Sequence, residues 1–240
     1  MNAILSLEDI SAILDAKTEA QLVDLLNRAA FALGFEQFVM GVEVNRPLVK
    51  PVQHAINGYT QRWQQVYAER DFVWKDPTLM HCKTSAEPLV WSDQMYSEDS
   101  RELCEESKKY GVGHGVSIPV HEREGVKSMF NLARDQSIVK DQRELEVMLA
   151  GARVLASSAH FAVTKLIVPG LLDARDPRLT RRERECLIWA ARGKTAFEIG
   201  MILKIAETTA VFHLNNLVRK FNVANRTQAI AVGVAMGLVH

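Results

Sequence analysis

Apolar residues recur along this chain with two different periods, and the change from one to the other lays out its elements. Phe38, Met40, Val42 and Val44 fall on alternate positions, as they do in a strand with one buried face. Further strand-like runs are Val52 to Ile56, Leu89 to Trp91, Gly115 to Val120 and Ser128 to Ala133. Between them the period lengthens to that of a helix. Ser6 caps a short helix, Thr18 with Gln21 caps a longer one that stops at Gly34, and a long helix is predicted from about Lys140 to Ile167. Strands and helices interleaved in this way predict an α+β fold, with a sheet covered by helices on both faces. Such an α-β-α sandwich is suited to enclosing a cavity.

Beyond Ile167 the pattern breaks at Pro169-Gly170 and at the polar stretch Asp173 to Pro177, then resumes with helical periods alone. The expected organisation is a domain over residues 1–168, a linker over 169–177 and a smaller helical domain over 178–240. Thr180 with Glu183 forms a capping box, in which hydroxyl and carboxylate each satisfy an orphan amide of the first turn. That helix runs to Gly193. Thr195 with Glu198 repeats the box and starts a second helix through Ile199, Ile202 and Leu203. A third spans about Glu207 to Phe221, and Asn225 caps a fourth from about Thr227 to Met236.

The third helix has two faces. Ala210, Leu214, Leu217 and Phe221 form an apolar stripe, while Thr208, Phe212, Asn215, Asn216 and Arg219 lie opposite, with Val211 and Lys220 on the shoulders. Asn can pair with adenine, an apolar side chain can touch a thymine methyl, and Arg can take guanine or phosphate. By itself the face also fits an ordinary solvated helix. Charge separates the two readings. The chain holds 29 basic and 29 acidic residues, yet residues 175–240 carry 11 basic against 5 acidic. A neutral total conceals a basic module suited to phosphate.

The run Leu179-Thr-Arg-Arg-Glu183, Trp189, Gly193-Lys-Thr195, Glu198-Ile-Gly200, Ile202-Leu203, Phe212-His213, Asn216, Lys220, Asn225-Arg-Thr-Gln-Ala229 and Gly237-Leu238 resembles the LuxR-type helix-turn-helix. The resemblance implies a transcription regulator that contacts DNA through Lys194, Thr195, Thr208, Val211, Phe212, Asn215, Asn216, Arg219, Lys220 and Arg226. It also implies RNA polymerase as a partner. Ala206, Ala210 and Val211 depart from the pattern, the first by removing a helix cap worth roughly 1 kcal/mol. Two copies are expected to read an inverted repeat, because one small module buries little DNA surface. Leu145, Met148, Leu149, Val154 and Leu155 of the long helix, with Ile230, Val232 and Val234 of the last, are the expected homodimer surfaces.

In the larger domain Tyr59, Trp63 and Tyr67 stand four apart on one helix face, Asp76 directly precedes Pro77, and Trp91 ends a strand-like run. The pattern alone fits a filled core, with Asp76 a helix cap, or a ligand pocket that satisfies the polar tips. This spacing, together with Gly115, is similar to the acyl-homoserine-lactone-binding domain of LuxR-type quorum-sensing receptors. The resemblance implies that Trp63 donates to the lactone carbonyl and Asp76 accepts the ligand amide. It implies that Tyr59 and Ser128 bond the amide-side carbonyl, that Tyr67 and Trp91 wall the pocket, and that Thr78 adds a polar contact.

Other chemistry finds little support. His54, His81, His114 and His121 lack metal-ligand spacing, Ser117 and Cys104 have no triad signature, and Gly111-Val-Gly113-His-Gly115 lacks the residues a phosphate loop needs. Cys82, Cys104 and Cys186 are too scattered for a metal site and odd in number, as in a reducing cytoplasm. The chain shows neither an unbroken apolar run of membrane-spanning length nor a signal-like N-terminus. The expectation is a cytoplasmic, non-enzymatic, cofactor-free regulator whose ligand is a signal molecule. A phosphorylation-driven regulator is disfavoured, since the strand ending Glu43-Val-Asn lacks an acidic cluster. Still open are a protein answering a non-lactone or foreign signal, and one forming inactive heterodimers.

Overall fold

The computed structural model describes residues 5–45, 51–122, 125–138, 141–173 and 178–239, and the chain falls into two compact units that part between Gly170 and Leu171, with Asn45 and Pro51 grouped with the second. The first unit is built on a five-stranded antiparallel sheet of β1 (Gln37–Val44), β2 (Val52–Asn57), β3 (Leu89–Val90), β4 (His114–His121) and β5 (Val126–Arg134), in the order β2-β1-β5-β4-β3. The predicted alternation holds in β1, where Phe38, Met40, Val42 and Val44 are buried. Register sets these beside Leu132, Phe130, Ser128 and Val126 of β5, so all eight share one face.

That face packs on α2 (Glu19–Ala32) and α6 (Gln142–Leu166), and α1 (Leu7–Leu14) lies against both of these helices. Caps start the helices as the sequence predicts: Ser6 forms a full capping box with Asp9, Thr18 accepts from the Gln21 amide, and Asp141 accepts from Glu144. The opposite face is covered by α3 (Gln61–Glu69), α4 (Pro77–Thr84) and α5 (Arg101–Lys109), joined by short 3-10 turns. The expected α-β-α sandwich is therefore present. By length and hydropathy α6 could cross a membrane, but its buried face, including Met148, Ala152, Leu155, Ala159 and Val163, packs as a core helix of this unit.

Where a linker was expected, the short helix α7 (Val168–Asp173) continues past Pro169 and Gly170, whereas residues 174–177 of that stretch lie outside the described residues. The second unit holds α8 (Arg181–Ala191), α9 (Ala196–Leu203), α10 (Glu207–Lys220) and α11 (Arg226–Ala235) around a core of Cys186, Leu187, Ile199, Ala210, Leu214 and Leu217. Phe221, expected in that stripe, is half-buried at its edge. Both capping boxes form, at Thr180–Glu183 and Thr195–Glu198. The turn from α9 to α10 is tight. Lys204 adopts φ +55°, and a Cβ on Gly200 would stand 2.9 Å from the Ile205 carbonyl oxygen.

Candidate functional site

Between the sheet and the α3–α4 side lies a cavity of about 770 Å³. Thr60 caps α3 and so sets the phase that brings Trp63 and Tyr67 inward. Trp63 is buried at the centre of an aromatic cluster, with ring centroids 5.8 Å from Tyr67, 6.1 Å from Phe72 and 5.5 Å from Tyr110. Asp76 caps α4, so the helix-cap role weighed from sequence is real. Its Oδ1 accepts from the Thr78 amide at 2.8 Å and the Thr78 hydroxyl at 2.7 Å, and Oδ2 accepts from Tyr67 at 2.9 Å. Yet the same carboxylate lines the cavity, so capping and ligand contact are compatible.

Burial raises the Asp76 carboxyl above the ordinary carboxylate range, opposed by the hydrogen bonds from Thr78 and Tyr67. The phenols of Tyr59, Tyr67 and Tyr96 are also raised, first by burial and then by the Asp76 charge, so they remain proton donors. Burial likewise takes the Cys82 thiol up to about 12. Cys82, Cys104 and Cys186 are free and buried. Among the described residues no cluster of metal-binding type converges.

Tyr59, Trp63, Tyr67, Asp76, Thr78 and Trp91 all line the cavity. Two expected ligand residues are placed differently. Ser128 also borders the cavity, while its hydroxyl lies 2.7 Å from His160 Nδ1 on α6, on the other side of the sheet. Three positions along, Asn131 faces the cavity, donates to Thr78 Oγ1 at 3.0 Å and lies beside the Tyr59 phenol. Gly115 supports the wall from behind: a Cβ there would meet the Trp91 ring at 2.7 Å and the Leu132 carbonyl oxygen at 2.3 Å. Trp91 in turn donates its indole N–H to Ser117 Oγ at 2.8 Å. Tyr96 is a further lining residue that sequence reasoning missed, with no regular spacing to reveal it. At the rim Val73, Trp74 and Met80 are apolar and exposed.

In the second unit α10 presents Thr208, Val211, Phe212, Asn215 and Arg219 outward, with Asn216 half-buried and accepting from Arg219. Phe212 is 55% exposed, far more than a core aromatic. Lys220, expected to reach phosphate, is exposed, while its Nζ is engaged within the unit. Its Nζ donates to Glu183 at 2.6 Å and to the Arg178 carbonyl at 2.8 Å, and Glu183 is only 2% exposed. These bonds, with those of Thr180, outweigh desolvation and hold the Glu183 carboxyl below the usual range. Arg226 donates to the Lys194 carbonyl at 2.7 Å, and Lys194 pairs with Glu198 at 3.0 Å. Ala206 gives α10 no side-chain cap, as its sequence predicts.

Comparison with known proteins matches residues 18–163 to the autoinducer-binding domain and residues 177–232 to the regulatory luxR family domain of bacterial proteins. This chain belongs to the LuxR family of quorum-sensing transcriptional regulators. Among its relatives, the transcriptional activator AnoR of Acinetobacter nosocomialis is 32% identical, over 96% of this chain and 97% of AnoR. The quorum-sensing-dependent regulator RpaR of Rhodopseudomonas palustris is 34% identical, over 86% and 83% respectively. Escherichia coli SdiA shares the fold, with a TM-score of 0.71 at 24% identity and 95% of each chain covered. LuxR-family relatives of this kind are regulators, not enzymes, and the autoinducer-binding domain implies a small-molecule signal.

Proposed function

We propose that the signal is an N-acyl-homoserine lactone and that its binding governs a homodimer reading an inverted-repeat operator. The observation that carries the ligand assignment is the buried Asp76 carboxylate, set among Tyr67, Thr78 and Trp63 in a cavity whose walls are mostly apolar and aromatic. A carboxylate there suits an amide donor, and the aromatic walls suit a compact ring joined to an acyl chain. Trp63 and Tyr59 supply donors for the two ligand carbonyls, a role that fits their place in the lining. Asp76→Asn keeps the shape and weakens one charge-assisted bond, so affinity falls by about one to two decades. Calorimetric titration with N-octanoyl-homoserine lactone, beside a thermal melt of each protein, checks it. Unchanged affinity in a folded variant removes Asp76 from ligand contact.

For the dimer, the exposed side of α6 keeps Val154 of the expected residues and adds others. Met148 and Leu155 are buried inside the unit, while Val147, Val154 and Phe161 are exposed seven residues apart, with exposed Ala150 and Ser157 between them. Alternate steps of three and four along one helix make a coiled-coil seam. On α11 Val232 is buried and Val234 is exposed. On α9, Phe197, Met201 and Ile202 form an exposed apolar patch that suits a protein partner such as RNA polymerase. Acting on DNA in this way places the protein in the cytoplasm. A second reading, the inactive-heterodimer antagonist, draws on the uncapped Ala206 and the exposed Val211 of α10. Tight binding of labelled inverted-repeat DNA by the purified protein excludes it.

A further inference from the structure

Every second residue of a strand faces the same side, so the sheet meets the cavity in rows. Val39 and Asn131 share the first row, and Asn131 links it to the Asp76 end, its Nδ2 lying 3.0 Å from Thr78 Oγ1. Ala55, Gly41 and Met129 form the second row, and Glu43 with Lys127 the third. The middle row thus sets a glycine inside a strand that is paired on both sides. Glycine there weakens the strand through backbone entropy and gives its neighbours nothing to pack on. The backbone does not require it, since Gly41 lies outside the left-handed region. Packing does not require it either: among the described residues, a Cβ would meet only Met129, at 3.5 Å and 3.9 Å, an ordinary contact. At Gly58 and Gly115 of the same unit a Cβ would collide, at 2.4 Å and 2.3 Å. A strand glycine with neither reason marks the close approach of something else.

We propose that the acyl chain of the ligand crosses the sheet over Gly41, and that this glycine makes the receptor selective for chains of about eight carbons. Ala55 and the adaptable Met129 flank it and complete a shallow apolar trough. The exposed apolar side chains of Val73, Trp74 and Met80 at the rim offer the chain cover. Length follows from the rows. An extended chain advances about 1.2 Å per bond, and successive rows of one face stand about 7 Å apart along a strand. With the ligand amide at the first row, a butanoyl chain spans about 4 Å and ends before Gly41. An octanoyl chain spans about 8 Å and crosses it. A dodecanoyl chain spans about 13 Å and sets its apolar end against the charged row of Glu43 and Lys127, which it would have to desolvate. The inference rests on the acyl-homoserine-lactone reading above and adds the chain to it.

The test measures dissociation constants of the full-length protein for N-butanoyl-, N-octanoyl- and N-dodecanoyl-homoserine lactone, with a thermal melt beside each titration. The octanoyl form binds at least about tenfold more tightly than the butanoyl form and at least about threefold more tightly than the dodecanoyl form. Gly41→Val, whose branched side chain suits a strand, fills the trough and brings the octanoyl-to-butanoyl ratio close to one. Gly41→Ala narrows that ratio at least about twofold and decides the matter where the valine variant fails to fold. Butanoyl or dodecanoyl lactone binding as tightly as octanoyl to the unaltered protein overturns the inference and leaves the lactone reading standing. So does a ratio that survives in the folded variants, whether both affinities hold or both fall together. Binding of none of the three compounds overturns the lactone reading and the inference together.

Discussion

Arg219 and Lys220 are neighbours on α10 with different employment. Lys220 neutralises a buried carboxylate, whereas Arg219 is exposed on the outward face and bonded only to its own helix at Asn216. Removing Lys220 leaves Glu183 without its cation, so Lys220→Ala destabilises the second unit by about 1–3 kcal/mol. Arg219→Ala leaves stability close to unchanged and weakens DNA binding. Thermal melts beside electrophoretic shifts separate the two, and a stable Lys220→Ala protein with lost DNA affinity contradicts this division. Sequence showed that both are basic and on adjacent phases of one helix, but the partner 37 positions away was invisible. The same limit explains Ser128 and Asn131. Both faces of β5 mix polar and apolar residues, Lys127, Met129 and Asn131 on one and Val126, Ser128, Phe130 and Leu132 on the other. Periodicity therefore gave a strand without saying which face meets the cavity.

At the scale of elements, capping chemistry was the most legible signal, because it is local. Ser6, Thr18, Thr180, Thr195 and Asn225 each accept the amide that their spacing predicts. One box has a pH consequence. The Thr195 amide, then Lys194 and the Thr195 hydroxyl, lower the Glu198 carboxyl from 4.5 to about 2. A depressed acid stabilises the fold above its unfolded pKa, and that contribution is lost as pH falls through the folded value. The start of α9 is thus held at neutral pH and released between about pH 4.5 and about 2. The carboxyl resonance of Glu198 followed by NMR should titrate near the lower figure, and a midpoint near 4.5 refutes the assignment. The seam on α6 was harder to read. Apolar residues cover both its buried side and the 147–154–161 line, so their mixture hid two stripes of different period.

For the whole molecule, the proposed α6 seam makes dimerisation testable through a few side chains. Val154→Glu or Phe161→Glu places a charge where two apolar surfaces would meet, without entering the core of the unit. Sedimentation velocity should show the variants shifted to monomer, with full-operator affinity falling toward that of a half-site. Dimers that persist through both substitutions move the interface elsewhere. The ion pairs of the second unit bear on how the protein answers salt. Among the ten cations described over residues 178–239, Arg181, Arg182, Lys194 and Lys220 already stand against carboxylates. A cation satisfied within the protein displaces no counterion from DNA unless its own pair first opens. Ten free cations would give a slope of log affinity against log salt of roughly −9 for each chain bound, and six give about −5 as an upper limit on steepness. The basic surplus that marks this region in sequence is therefore larger than the charge it can spend on phosphate.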